Sequence, residues 1–250
     1  MRKQIILGTF FILTCLFLCN GVFATEYTNT TTLTDNSDIQ AGLMDSSIPF
    51  IENEGQQDSQ VDYYANTLYG TVYVTSDGIT HVVGVNDTGT AVIQEQFLDA
   101  NNNQITINSQ GEDRSDVKVN YYQGNDSNNW YIDVDTYNRV SLGEIYPNIT
   151  VKLKANGGSV EKYFYLEPGA DINNIIIQIL GANSLNILDD GSLAIYTANE
   201  TLIMTAPVAY QDNNSVDVSY QIISDNTYGF TVTNYDPNKT LIIDPTLTYS

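Results

Sequence analysis

From Val61 onward apolar and polar residues alternate with a period of two, the pattern of strands that bury one face. Thr71-Val72-Tyr73-Val74 alternates, Ser76-Asp77-Gly78 supplies a turn, and Thr80-His81-Val82-Val83 begins a return strand. Ile105-Thr106-Ile107 and Val117-Lys118-Val119 continue the pattern. The clearest hairpin joins Ile149–Lys154 to Ser159–Tyr165 across Ala155-Asn156-Gly157-Gly158, residue types that suit a tight reversal. A second runs from Leu185 to Ile195 around Leu188-Asp189-Asp190-Gly191, and further strands are predicted at Ser215–Ile223, Tyr228–Thr233 and Leu241–Ile243. No window shows a capped helical stripe. Strands spaced about 8–12 residues apart, with Gly, Asn and Asp between them, predict an antiparallel all-β domain over residues 61–250. The expected form is a β-sandwich, in two lobes divided near Glu112 to Asp116, with a barrel as the alternative.

The N-terminal part reads differently. Arg2 and Lys3 precede an apolar run from Ile5 to Leu18, and Val22-Phe23-Ala24 ends on a small residue. The run is shorter than the roughly 20 residues of a membrane span, so residues 1–24 read as a secretory signal peptide cleaved after Ala24. Residues 25–60 are rich in Thr, Asn, Asp, Ser and Gln, and predict a polar, mostly disordered linker. No later apolar block is long enough to cross a bilayer.

Composition narrows the chemistry. The 250 residues carry 9 Lys plus Arg against 30 Asp plus Glu, a net charge of −21. Without residues 1–24 the balance is 7 bases to 30 acids, or −23, and both cysteines, Cys15 and Cys19, are gone. Such a field opposes nucleic acids and anionic headgroups, so no nucleic-acid partner is expected. A mature chain without cysteine has neither disulfides nor thiol chemistry, and its stability must come from its core.

Few residues suggest a reaction. His81 is the single histidine, it sits in a predicted strand, and no Gly-x-Ser-x-Gly elbow accompanies it, so a surface or half-buried strand histidine is expected. Asp133 and Asp135 would share one strand face, an arrangement that could serve glycoside hydrolysis or calcium. Asp99, Asn101 and Asn103 match the opening of a calcium loop, but Gln104 and Gln110 replace the glycine and closing Glu such a loop uses. A polar hairpin turn accounts for the same residues, so no cofactor is expected beyond calcium as an open alternative. Asn-x-Ser/Thr sequons occur at Asn29, Asn86, Asn125, Asn148, Asn199, Asn213 and Asn238, with Asn86 and Asn213 in predicted turns and so the foremost glycosylation candidates. The 18 Tyr and Trp130 suit strand packing or a carbohydrate-stacking face, with Trp130 read as a core anchor.

Several phrases in order carry a resemblance. They are Val119-Asn120-Tyr121-Tyr122-Gln123-Gly124-Asn125-Asp126 with Trp130, Tyr146-Pro147-Asn148-Ile149, and Glu161-Lys162-Tyr163-Phe164 leading to Pro168-Gly169-Ala170-Asp171. Pro207-Val208-Ala209-Tyr210-Gln211 and Leu241-Ile242-Ile243-Asp244-Pro245-Thr246-Leu247-Thr248-Tyr249-Ser250 complete the set. Together they resemble the uncharacterised β-rich domain that precedes SBBP-type β-propeller repeats in bacterial and archaeal surface proteins. Ser127 stands where that family usually has proline, and Asn148 where glycine is common; both are turn positions. The resemblance implies a non-enzymatic secreted module whose Ile243-Asp244-Pro245 strand would lead into the first repeat. The expected function is therefore a structural or adhesive module, secreted or at the cell surface, with other surface proteins or glycans as partners. Glycan binding through exposed aromatics and an extracellular hydrolase with paired carboxylates are the alternatives.

Overall fold

The computed structural model describes residues 46–85 and 89–248. The first strands are β1 (Ser47–Ile48), β2 (Phe50–Glu52), β3 (Val61–Asn66), β4 (Gly70–Thr75), β5 (Gly78–Val85) and β6 (Gly89–Phe97). Then come β7 (Gln110–Arg114), β8 (Val119–Tyr122), β9 (Trp130–Val134), β10 (Thr136–Tyr146), β11 (Ile149–Asn156) and β12 (Ser159–Leu166). The remainder are β13 (Ile177–Leu180), β14 (Ser184–Ile187), β15 (Leu193–Tyr196), β16 (Thr201–Met204), β17 (Val208–Gln211), β18 (Asn214–Ser224), β19 (Thr227–Thr233), β20 (Leu241–Asp244) and β21 (Thr246–Thr248). Every pairing is antiparallel, and no α-helix occurs among the described residues, as the alternating pattern predicts.

Nineteen strands form one large sheet, and β8 and β9 form a small second one. One part of the large sheet runs from β3 through β4, β5, β6, β13 and β19 to β18. The other runs from β7 through β10, β11 and β12 to β20, with β21 and the β14–β16 meander alongside. The two parts pack face to face. Phe164 of β12 meets Phe230 of β19 with ring centroids 5.4 Å apart, and Phe97 of β6 meets Tyr146 of β10 at 6.4 Å. The result is sandwich-like and not a closed barrel: the halves meet at corners through pairings as short as Ile51↔Thr136 and Phe50↔Tyr137.

The alternation converts directly into burial. Along β11, Ile149, Val151, Leu153 and Ala155 are buried while Thr150, Lys152, Lys154 and Asn156 face out. Each large apolar side chain sealed this way contributes about 1.5–3 kcal/mol. The β11–β12 hairpin forms where predicted, and its turn is fastened by Asn156, whose Oδ1 accepts from Gly158 N at 3.1 Å and Ser159 Oγ at 2.8 Å. The second hairpin turns with Gly191 at φ 84°.

Four expectations need correction. The linker expected up to Gln60 is, from Ser46 onward, part of the fold: Phe50 and Ile51 are buried and β2 joins β3 to β10. The polar cluster after Glu52 is a turn organised by Asn53. Its Oδ1 accepts from Gly55 N and Gln57 N, both at 3.0 Å, and its Nδ2 donates to Asp58 O at 2.8 Å and Val61 O at 2.7 Å. No lobe boundary lies near Glu112 to Asp116, because that stretch enters β7, laddered to β10, and residues 46–248 fall in a single compact unit. Ile105 to Ile107 forms no strand; Ile105 N donates to Phe97 O and Ile107 N to Ser76 O, both at 2.8 Å. Trp130 is no core anchor, being 37% exposed on β9. The signal peptide at 1–24, residues 25–45 and Asn86 lie outside the described residues. Among the described residues no helix is long and apolar enough to cross a membrane.

Candidate functional site

The small β8–β9 sheet is a ribbon with two unlike faces. One face packs inward: Val119, Tyr121 and Tyr131 lie against Ile51, Tyr64 and Val134, and the Tyr64 hydroxyl donates to that of Tyr121 at 2.7 Å. Burial pushes the Tyr64 phenol up. The other face is open. Tyr122, Trp130, Ile132 and nearby Val117 are all exposed, Tyr122 at 63%. A two-stranded ribbon is marginal alone, so the anchored face holds the open one in place.

Local chemistry explains the ribbon's shape. Gly124 takes φ 65°, and Asp126 caps the following 3-10 turn by accepting from Asn128 N at 3.0 Å. Trp130 Nε1 donates to Gly124 O at 3.2 Å, pinning the indole over the loop. The indole meets the Tyr122 ring edge to face, at 5.3 Å and 85°. The register slips between Val119 and Tyr121, opposite Asp133 at φ 61°, whose N–H donates to Asn120 Oδ1 at 2.8 Å. That bulge departs from the regular strand on which Asp133 and Asp135 would share a face. Asp135 is instead engaged by Arg114 and Lys118, and Asp133 stands exposed at the bulge.

The calcium-loop residues form a hairpin turn. Asp99 Oδ1 accepts from Asn101 N and Asn103 N, both at 2.8 Å, and Oδ2 accepts from Asn103 Nδ2 at 3.0 Å. These bonds hold its carboxyl below the usual range. Among the described residues no group of three or more His, Cys, Asp or Glu side chains is placed to hold a metal ion. Asn213 is exposed in a two-residue turn, with Asp212 at φ 48° and Asn213 at φ 64°. Its sequon is thus presented at a hairpin tip, and Asn125, Asn148, Asn199 and Asn238 are exposed as well.

His81 is neither at the surface nor half-buried. It lies at 2% exposure in a cluster with Glu95 at 1%, Lys162 at 4% and Tyr228 at 0%. His81 Nε2 is 3.0 Å from Glu95 Oε1, Lys162 Nζ contacts Glu95 Oε2 directly, and Tyr228 Oη donates to that same Oε2 at 2.9 Å. Burial pushes the Glu95 carboxyl up, but the Lys162 ammonium and the His81 bond outweigh it and hold it well below the usual carboxylate range. Burial, then the Glu95 charge, push the Tyr228 phenol well up. The cluster joins β5 and β6 on one side of the core to β12 on the other. Its signal in the sequence is a charged residue in the buried phase of an alternation: Ile79-His81-Val83, Ile93-Glu95-Phe97 and Val160-Lys162-Phe164.

Two further acidic places stand at the surface. On the outer face of β12 and β20, Tyr163 donates to Glu161 Oε2, and Asp244 lies beside them with its Oδ1 buried and unpartnered. Burial first, then the Glu161 charge, push Asp244 up to about 6. Separately, a shallow groove of about 580 Å³ runs between Glu52, Asp62 and Ser109. Both acids there are already engaged, Glu52 by Tyr137 at 3.1 Å and Asp62 by Ser109 at 2.8 Å.

An antiparallel sandwich-like module with an open aromatic ribbon and a sealed ionic cluster defines a class of all-β domain. The chain belongs to a family described as a domain of unknown function, DUF7948, whose sequence profile matches residues 50–246. That match begins at Phe50, where the chain enters the core, and ends at Thr246 of the last strand. No curated protein matches the chain.

Proposed function

We propose that this chain is a non-catalytic structural and adhesive module, secreted or held at the cell surface, that makes contact through the open face of the β8–β9 ribbon. The observation that carries this reading is the exposed apolar face of Tyr122, Trp130 and Ile132 on a ribbon whose other face is fixed in the core. Large exposed apolar side chains gathered on one fixed ribbon of a strongly charged protein mark a place where something else binds. The secretory character of residues 1–24 and the resemblance to domains that precede SBBP-type propeller repeats support a role as the head of a surface protein.

The partners are other surface proteins or glycans. The exposed Tyr122 and Trp130 rings favour the glycan reading, but they stand at 85° to each other, so a sugar would stack on one ring and meet the edge of the other. The test is adhesion of the full protein to cells and to a glycan array, with the Tyr122→Ala/Trp130→Ala variant beside it. A loss of about tenfold or more in binding is expected, as for central aromatic anchors of interfaces. Unchanged adhesion in the variant, or retention of the protein in the cytoplasm on fractionation, overturns the proposal.

A further inference from the structure

We propose that Lys162 and Glu95 condense inside the folded core to an amide, cross-linking β12 to β6. The two side chains touch, both are almost wholly buried, and they come from strands 67 positions apart on opposite sides of the core. Their surroundings treat the two carboxyl oxygens differently. Oε1 faces His81 Nε2 at 3.0 Å, while Oε2 contacts Lys162 Nζ and accepts from Tyr228 Oη at 2.9 Å. Tyr228 Oη in turn accepts from Lys162 Nζ at 3.0 Å, so its hydroxyl bridges the amine and the carboxyl oxygen.

That arrangement supplies each part of an acyl transfer. A proton passes from the Lys162 ammonium to Oε2, leaving a neutral amine beside a neutral carboxylic acid. The Nζ lone pair attacks Cδ of Glu95, and the C=O electron pair moves onto Oε1. The His81 ring, with its proton on Nε2, donates to that oxyanion. Tyr228 accepts a second amine proton and passes its own to Oε2. The Oε1 electron pair then re-forms the C=O bond as Cδ–Oε2 breaks, and Oε2 leaves as water carrying one proton from Nζ and one from Tyr228, whose hydroxyl the second amine proton restores. The nitrogen keeps its third proton, so an ammonium and a carboxylate become one neutral amide and one water, with no oxidant or external reagent.

Physical chemistry favours the product. A buried ion pair holds two charges out of water at a desolvation cost that the neutral amide does not bear. Fixed juxtaposition of nucleophile and carboxyl removes the entropic barrier of a bimolecular step, at effective molarities on the order of 10⁵ M or more. The released water leaves a core lined by Met204, Tyr220 and Phe230, which then excludes the water needed for reversal. A cross-link of this kind gives the cysteine-free part of the chain a covalent tie between its two layers.

Mass spectrometry of the full protein decides the matter. After complete proteolysis, a branched peptide joining the segments that contain Glu95 and Lys162 is expected, lighter than the two separate peptides by one water. Recovery of both segments unlinked and at unmodified mass from the natively folded protein overturns the proposal, and this reading needs no variant. Lys162→Met removes the nucleophile and should yield no branched peptide. Tyr228→Phe keeps the ring and removes the relay; linkage should then fall by roughly tenfold or more while the folded circular-dichroism spectrum is kept. Full linkage in Tyr228→Phe overturns the assignment of the relay.

Discussion

In the native fold Asp244 carries a carboxyl whose Oδ1 is buried without a partner, with the Glu161 carboxylate nearby. Burial and that like charge raise it from the ordinary 3.8 to about 6. Because the folded value exceeds the unfolded one, the native state holds its proton longer. Below about pH 4 both states are protonated and the group makes no difference. Between about pH 4 and 6 the unfolded chain has lost the proton and the native chain has not, so stability falls as pH rises. Above about pH 6 the native state must carry the charge, and the penalty is complete. Two units at about 1.4 kcal/mol each come to about 3 kcal/mol, which solvent screening of this half-buried group reduces to about 1–2 kcal/mol. Asp244→Asn removes the charge. At about pH 7.5 it should stabilise the protein by that amount and raise Tm by about 2–8 °C, a domain of this size gaining about 2–4 °C per kcal/mol. The check is thermal melting of both proteins by circular dichroism from about pH 4.5 to 7.5, with the gap between them closing toward the acidic end. A variant less stable than the parent at neutral pH, or a constant gap across the range, refutes the reasoning.

Other positions give independent tests. Asn53→Ala removes the acceptor and donor that close the turn after β2, and urea unfolding should show a loss of about 1–3 kcal/mol, since two backbone N–H groups lose their partner. A Cβ at Gly111 would sit 2.5 Å from the Tyr137 ring, so Gly111→Ala should cost about 1–3 kcal/mol by overpacking, read in the same denaturation assay. Asn213 occupies the left-handed region, so Asn213→Val should lower stability by about 1–2 kcal/mol while Asn213→Gly changes it little. Expression of the chain in a host that glycosylates Asn-x-Ser should give a mass increase that Asn213→Gln lowers by one glycan.

Much of the fold was legible because burial here follows alternation. The β11–β12 hairpin, the β14–β15 hairpin and the strands at β18, β19 and β20 sit where period two and turn residues put them. Misreadings have a common cause, which is that hydrophilic composition does not distinguish a solvated segment from one that bonds to itself. Asn53, flanked by Glu52 and Glu54, reads as linker yet ties four backbone groups into a turn. Trp130 reads as core because it is large, but its partner strand is a two-stranded ribbon with only one face to bury. The ionic cluster was hidden because each of its members is alone in its own strand. His81, Glu95 and Lys162 each interrupt an apolar phase once, and only the stacking of β5 and β6 on β12 brings them together. Asp133 sits at a bulge with φ 61°, which no pattern of polarity announces, and Asp135 is taken up by Arg114 and Lys118.

The place of β20 and β21 bears on how the chain reaches this state. They come last among the described strands, yet β20 lies between β12 and β17, and β21 between β12 and β16. Until residues 241–248 are available, three earlier strands present unsatisfied N–H and C=O groups, open to pairing with any neighbouring chain. Closure must wait on contacts between segments far apart in sequence, the condition under which folding is slow. The domain should therefore close only once residues 241–248 have emerged, through a late step in which two short strands fill a slot already flanked on both sides. Truncation upstream of Leu241 should leave a self-associating species rather than a smaller folded one.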